Sequence, residues 1–181
     1  AGISAPYGPT VAIPTDTFMS VINTNIVGVY NGSMIALSYM LPQRSGKLIN
    51  MLGRGEKKGV PFQNPYSASK VWVRNFTLSL AEENKDSGVE IFAFNPGLVD
   101  TDMLRQVEAI QGYEERLKPL ETVMRLWANP PQLPAEKALW LASSATDNKT
   151  GMRVSILNMP MMMRGILNEG LRRILHKPAP D

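Results

Sequence analysis

Tyr66 and Lys70 stand four residues apart in the stretch NPYSASK, and this pair is the clearest indication of chemistry in the sequence. On a helix, side chains at positions i and i+4 leave the same face, so the phenol and the ammonium group would be neighbours. A free tyrosine has a pKa of about 10, and a nearby positive charge favours the phenolate. Such a pair can give a proton to a carbonyl oxygen or take one from an alcohol. Taken alone, however, this spacing is also that of many ordinary solvated helix faces.

The composition limits the classes of function that the chain can have. Its 181 residues, 44% of them hydrophobic, predict one globular domain with a sizeable core. The net charge of +3 is too small to indicate a nucleic-acid partner. The absence of cysteine and the single histidine, His176, exclude disulfides and a histidine-based triad, and no metal site is predicted. Without a long apolar run or a signal pattern, we expect a soluble, cytoplasmic protein with no membrane partner.

The apolar pattern predicts three strands separated by helices. Helices are predicted over 15–42, 66–84 and 134–145, and strands over 47–52, 89–95 and 152–158. This order predicts an α/β fold with parallel strands and right-handed crossovers. Active sites of such sheets lie at the carboxyl ends of the strands. NPYSASK follows the first strand and NPGLVDT follows the second, so both are expected at that edge.

Two further segments are predicted to cover or flank this edge. Residues 102–133 mix turn residues with helical patches at 105–117 and 120–127, as expected of a substrate lid. Within the lid, Tyr113 is a candidate for substrate contact, with local packing as the equal alternative. Residues 159–181 have the apolar spacing of an amphipathic tail helix, which would dock on its own body or on a sister subunit.

Six stretches together resemble the classical short-chain dehydrogenase/reductase family. In chain order they are AGI, NTNIVGVYNG, GKLINML, YSASK, NPGLVDTDM and PAEKALWLASSATDNKTGMRVSI. Each is modest by itself, but the set covers nearly the whole chain up to about residue 158 in the family's order. The resemblance implies a Rossmann-like, doubly wound parallel sheet. It also implies hydride transfer between NAD or NADP and a small carbonyl or alcohol substrate.

The resemblance also implies roles for individual residues. Tyr66 would be the general acid/base, Lys70 would hold the nicotinamide ribose and lower the tyrosine pKa, and Asn25 would support a water in the proton relay. Gly2 lies in the AGI stretch on the cofactor side. The cofactor loop would consist of Pro96, Gly97, Val99 and Thr101.

The sequence departs from the family pattern where a serine normally binds the substrate oxygen. Thirteen residues before the tyrosine, this chain has Gly53. Losing one oriented donor to a developing oxyanion costs on the order of 10²–10³ in rate. The glycine could instead make room for a bulkier substrate, and Arg54 could supply charge or be a solvated loop residue.

The sequence also lacks a Gly-rich strand-to-helix turn for the pyrophosphate. We therefore expect the C-terminal half of the family fold, a fragment of about three parallel strands whose open edge invites partner pairing. A homo-oligomer is expected, as in the family. The alternative function is a non-catalytic relative that acts as a binding protein; a sugar-nucleotide epimerase is a weaker third hypothesis, because its larger substrate domain does not fit the short tail.

Overall fold

The computed structural model of the chain describes residues 2–157 and, beyond them, Met163, Leu167 and Ile174. The α-helices of residues 2–157 are α1 Thr15–Ile22, α2 Gly28–Gln43, α3 Asn64–Glu83, α4 Asp102–Arg105, α5 Pro119–Trp127 and α6 Gln132–Ala142. A π-helical stretch, Asn23–Val27, joins α1 to α2 without a break. The strands of this part are β1 Gly46–Met51, β2 Val89–Asn95 and β3 Arg153–Ser155. Short 3-10 turns are Thr10–Ala12, Glu114–Leu117 and Ser144–Thr146.

The three strands form one parallel sheet in the order β1-β2-β3, which confirms the predicted α/β fold. Residues of β1 and β2 pair from Gly46 with Val89 to Met51 with Phe94. β3 pairs only with the end of β2, from Ala93 with Arg153. Within the described residues, β1 is an edge strand of the sheet.

The core lies on both faces of β2. Alternate residues of this strand point to opposite sides of the sheet. Val89 and Ile91 pack with Leu37 of α2 and Leu80 of α3, whereas the aromatic residues of the strand pack on the other side. There, Phe92 and Phe94 are fully buried against Leu141 of α6. Two buried faces explain why β2 is apolar throughout and why α3 is held firmly beside the carboxyl end of β1.

The lid segment differs from its predicted secondary structure. The helical patch predicted over 105–117 is wrong: only α4 and the 3-10 turn Glu114–Leu117 are helical there. Between them, Ala109 forms a parallel bridge with Tyr7, and the backbone N–H of Ile110 donates to Tyr7 O at 2.9 Å. This pairing with the N-terminal segment takes the backbone groups that a helix would have used.

The last predicted strand and the predicted tail helix can be compared with the structure only in part. β3, at Arg153–Ser155, is shorter than the strand predicted at 152–158, because only the last three residues of β2 pair with it. The predicted tail helix at 159–181 lies outside the described residues except for Met163, Leu167 and Ile174, which are helical and exposed. Among the helices that the structure describes, none has the length and apolar character needed to cross a membrane.

Candidate active site

Tyr66 and Lys70 lie on the first turns of α3, against the carboxyl end of β1. Pro65 occupies the first turn of this helix, where its missing N–H costs no hydrogen bond. The Lys70 ammonium lies 5.5 Å from the centre of the Tyr66 ring and donates to Met51 O at 3.1 Å. The two residues are therefore neighbours, as their spacing predicted, and Lys70 is additionally tied to the end of β1.

Burial controls the protonation of both groups. It raises the pKa of Tyr66 above the ordinary value and lowers the pKa of Lys70. That Lys70 lowers the tyrosine pKa stays a prediction, since the cause of the raised pKa of Tyr66 is the loss of water around the phenol. Tyr66 is a phenol at neutral pH and is suited to donate a proton.

Gly53 lies directly against the Tyr66 hydroxyl. A Cβ atom at this position would overlap that oxygen and would stand 3.2 Å from Cζ of the same ring. Any side chain here, serine included, would displace the phenol from its present place. The present position of the Tyr66 ring therefore depends on glycine rather than serine at residue 53.

Asn25 lies fully buried in the π-helical stretch and joins three parts of the site. Its side-chain oxygen accepts from the Ile3 backbone N–H at 2.9 Å, and its nitrogen donates to Ile3 O at 2.9 Å and to the Ser69 hydroxyl at 3.0 Å. Ser69 in turn donates to Tyr66 O at 2.7 Å. The amide of Asn25 therefore fixes the N-terminal segment to the helix that carries Tyr66.

Gly2 completes this corner of the site. A Cβ atom at Gly2 would stand 3.5 Å from Asn25 Oδ1 and 3.7 Å from Lys70 Nζ. The structure thus brings together three predicted residues, Gly2, Asn25 and Lys70, behind Tyr66.

The loop after β2 is held in a defined conformation. The Gly97 N–H donates to Asn95 Oδ1 at 2.9 Å, and the φ angle of Gly97 is +73°, which glycine adopts without strain. Further along, the Asn129 N–H donates to Leu98 O at 2.8 Å and so ties the loop to the segment before α6. Pro96, Gly97, Val99 and Thr101 all face the same cavity as Tyr66.

This cavity has a volume of about 590 Å³ and a mostly apolar lining. Tyr66, Gly53, Arg54 and the Pro96–Thr101 loop form one wall, and lid residues such as Leu120 and Val123 form another. Tyr113 is not among the residues that line this cavity, and its ring packs 5.7 Å from that of Phe62, so substrate contact by Tyr113 stays a prediction. Sequence reasoning missed a wall from the start of α6, formed by Pro134, Ala135 and Ala138, since small apolar residues carry no chemical signal.

A buried carboxylate links the two loops that border the cavity. Glu56 is only 4% exposed and accepts from Arg153 Nε at 2.9 Å and from Asn95 Nδ2 at 3.3 Å. Burial by itself raises the pKa of Glu56, but these hydrogen bonds and the charges of Arg153 and Arg74 outweigh burial, so the pKa is lowered. Asn95 also donates to Gly53 O at 3.4 Å. Sequence reasoning missed this cluster, because its members are far apart in the chain.

Comparison with known proteins decides the family. The family model described as short chain dehydrogenase matches residues 1–112. The chain belongs to the short-chain dehydrogenase family. In this family member, the described residues include no cluster of histidine and carboxylate side chains suited to a metal ion.

Two similar curated proteins are named as reductases. The 3-oxoacyl-acyl-carrier-protein reductase FabG of Chlamydia trachomatis is 30% identical over 142 residues, 78% of this chain and 55% of that protein. The acetoacetyl-CoA reductase of Shinella zoogloeoides is 32% identical over 140 residues, 77% of this chain and 57% of that protein. The chain thus spans somewhat more than half the length of the curated relatives that it matches.

Solved structures of this family share the fold. A putative NAD(P)-dependent gluconate 5-dehydrogenase from Beutenbergia cavernae, solved with NADP, has a TM-score of 0.73 and 25% identity. The match covers 86% of this chain and 61% of that one. ElxO with NADP bound has a TM-score of 0.71 and 27% identity over 86% of this chain and 62% of its own.

Proposed function

We propose that this protein is an NAD(P)-dependent oxidoreductase of the short-chain dehydrogenase type. It transfers a hydride between the nicotinamide and a small carbonyl or alcohol substrate, with Tyr66 as general acid/base. The observation that carries this proposal is the meeting of the Tyr66 hydroxyl and the Pro96–Thr101 loop in one cavity, with Lys70 directly behind the phenol.

The residues around Tyr66 fit the nicotinamide and ribose end of such a cofactor. Lys70 is proposed to donate from its ammonium group to ribose hydroxyls, beside Gly2, where a Cβ atom would stand 3.7 Å from Nζ. Backbone groups of Pro96, Gly97 and Val99 and the Thr101 hydroxyl are proposed to orient the nicotinamide. When bound, the nicotinamide supplies the hydride for reduction or accepts it in oxidation.

Tyr66 moves the proton. Because burial keeps the phenol protonated at neutral pH, its hydroxyl is ready to donate to a carbonyl oxygen in the cavity. Asn25 is proposed to support the relay water through the remaining lone pair of its Oδ1, since both of its N–H groups are already used. A Cβ atom at Gly2 would stand 3.5 Å from Asn25 Oδ1 and 3.7 Å from Lys70 Nζ, so the two groups border the same corner of the site.

Gly53 supports a second candidate, a non-catalytic relative that binds a ligand in the same cavity. No hydroxyl stands at the family's serine position, so one donor to the reacting oxygen is lost. The two candidates differ in whether any ketone is turned over.

An assay with both dinucleotides tests the proposal. The purified protein is incubated with NADH or NADPH, deuterated at the transferable position, and with a panel of ketones and aldehydes. We expect deuterium in an alcohol product, measured by mass spectrometry. No alcohol product, across the panel and with both cofactors, would favour the binding protein instead.

A second copy of the chain is the partner that we propose, on the outer face of α2 and α3. Trp72 and Phe76 stack there with ring centres 4.6 Å apart, and Tyr30 lies 6.0 Å from Phe76 while 47% exposed. Aromatic groups that are exposed or half-buried on neighbouring helices, as Tyr30, Trp72 and Phe76 are, are typical of interfaces. Homo-oligomerisation would cover them.

Tyr30→Lys tests this interface. We expect the variant to have the mass of a monomer by light scattering at concentrations where the unaltered protein is an oligomer, because a lysine would be desolvated at the contact. Tyr39→Lys is the matched control, since Tyr39 is 67% exposed and half a turn away around the same helix. A monomeric unaltered protein, or equal masses for all three, contradicts the proposal.

A further inference from the structure

The charged residues that line the cavity are all positive. Among the described residues that line it are two arginines, Arg54 and Arg116, and no aspartate or glutamate. The rest of the lining is predominantly apolar, with lid residues Leu104, Leu117 and Val123 as examples. A ligand in this cavity therefore meets hydrocarbon walls and two positively charged residues.

Arg116 is positioned by two aromatic side chains rather than by an ion pair with a carboxylate. Its guanidinium lies 4.6 Å from the centre of the Phe62 ring and 5.8 Å from that of Tyr113. The two carboxylates next to it in sequence have other partners: Glu115 pairs with Lys118 at 2.5 Å, and Glu114 accepts from the Gly112 N–H at 3.1 Å. Stacking positions the arginine and leaves its charge without a counterion among the described residues.

Arg54 stands at the reactive end of the same cavity. It follows Gly53, whose backbone lies against the Tyr66 hydroxyl. Within residues 2–157, Arg54 has no ion pair, and the nearby buried acid, Glu56, turns away from the cavity toward Arg153 and Asn95. The Arg54 guanidinium therefore has no counterion among these residues.

We propose that the substrate of this cavity is a carbonyl compound with an apolar body and an anionic group, a carboxylate or phosphate, that Arg54 and Arg116 bind. A guanidinium matches the two oxygens of such a group with paired N–H donors. An apolar surrounding strengthens the attraction and accepts the hydrocarbon part. The carbonyl in this description rests on the proposed function, whereas the preference for an anion is tested by binding alone.

The test compares two ketones that differ only in charge, para-acetylbenzoate and its methyl ester. Their dissociation constants are measured by titration calorimetry at low salt. We expect the acid to bind roughly tenfold more tightly than the ester, the effect of one charge-assisted hydrogen bond. The double variant Arg54→Gln/Arg116→Gln is expected to remove this preference, and added salt to reduce it.

Lys118→Gln is the matched control. It removes a positive charge from the same segment, but Lys118 is an exposed partner of Glu115 and does not line the cavity. Its preference for the acid should equal that of the unaltered protein. Equal affinity for acid and ester, no binding of either, or a preference that persists in the double variant would overturn the inference.

Two further measurements separate the possible failures. Binding of NADH and NADPH is measured with the same variants. If the double variant weakens cofactor binding and keeps its preference for the acid, the arginines serve a cofactor phosphate and the inference falls. If the preference behaves as expected but no ketone of the panel receives deuterium, the anion site stands and the oxidoreductase proposal falls.

Discussion

At the scale of single residues, the contact between Gly53 and Tyr66 distinguishes this site from the family pattern. Gly53 lacks the hydroxyl that the family's serine would provide. Because it also lacks a Cβ atom, the Tyr66 phenol can occupy the space beside it. Because the two are in contact, the position of the Tyr66 hydroxyl depends on the absence of a side chain at residue 53. A serine restored at this position would return a donor and at the same time push against the group that it should assist.

Gly53→Ala and Gly53→Ser test this coupling. Each introduces a Cβ that overlaps the Tyr66 hydroxyl, so we expect kcat to fall by about 10²-fold in both, as for a catalytic group displaced by about 1 Å. Steady-state kinetics measures the effect. Gly59→Ala is the control, because a Cβ there meets nothing within 4 Å. A serine variant faster than the unaltered protein would mean that the hydroxyl matters and the overlap does not.

At the scale of elements, the π-helical stretch Asn23–Val27 is what turns Asn25 inward. Stretches of this kind are often found at functional sites, where an extra residue in the turn re-aims a side chain. Here the result is a single amide that bonds the N-terminal segment and α3 together. Asn25 therefore contributes both to the stability of the site and to its geometry.

Asn25→Ala is expected to lower the free energy of unfolding by about 1–3 kcal/mol, because it leaves the Ile3 backbone groups and the Ser69 hydroxyl without this partner. Urea denaturation measures the change. Asn23→Ala, at an exposed position in the same stretch, should change it by less than about 0.5 kcal/mol. Equal effects of the two substitutions would show that the Asn25 bonds contribute nothing.

The Glu56 cluster acts between elements, since it fastens the loop after β1 to the end of β2 and to β3. The folded protein holds the pKa of Glu56 below the ordinary value of 4.5. A carboxylate with a lowered pKa stabilises the fold fully above its unfolded pKa. That contribution is lost as the pH falls from about 4.5 through the folded pKa.

Glu56→Gln should therefore lower the free energy of unfolding by about 2 kcal/mol at neutral pH and flatten its decrease below pH 4.5. Denaturant titrations at several pH values measure both effects. Glu82→Gln, which removes an exposed surface pair with Lys85, is the control and should leave stability and its pH dependence nearly unchanged. An unchanged pH dependence in Glu56→Gln would contradict the assigned pKa.

At the scale of the whole molecule, the sequence predicted what depends on local pattern. The three strands, their parallel order and the pairing of Tyr66 with Lys70 follow from hydrophobic runs and from helical spacing. The bridge between Tyr7 and Ala109 and the bond between Glu56 and Arg153 join residues about 100 apart in sequence, and no short pattern encodes them. The raised pKa of Tyr66 was missed for the same reason, because burial is a property of the assembled site.

The parts of the molecule meet at one point, the Tyr66 hydroxyl. α3 presents it, Gly53 after the end of β1 lies against it, and the loop after β2 lines the same cavity. A mechanism in which this hydroxyl transfers the proton explains why these elements converge. The claim that the Tyr66 hydroxyl transfers the proton can therefore be tested by one substitution, which removes only the oxygen atom of this hydroxyl.

The most direct test is the turnover of Tyr66→Phe beside that of Tyr39→Phe, an exposed tyrosine on α2. Cofactor affinity is measured in both variants to confirm that the site is intact. The account predicts a kcat lower by about 10²–10⁴-fold in Tyr66→Phe, with cofactor binding retained, and an unchanged kcat in Tyr39→Phe. A Tyr66→Phe variant that turns over its substrate as fast as the unaltered protein would contradict it.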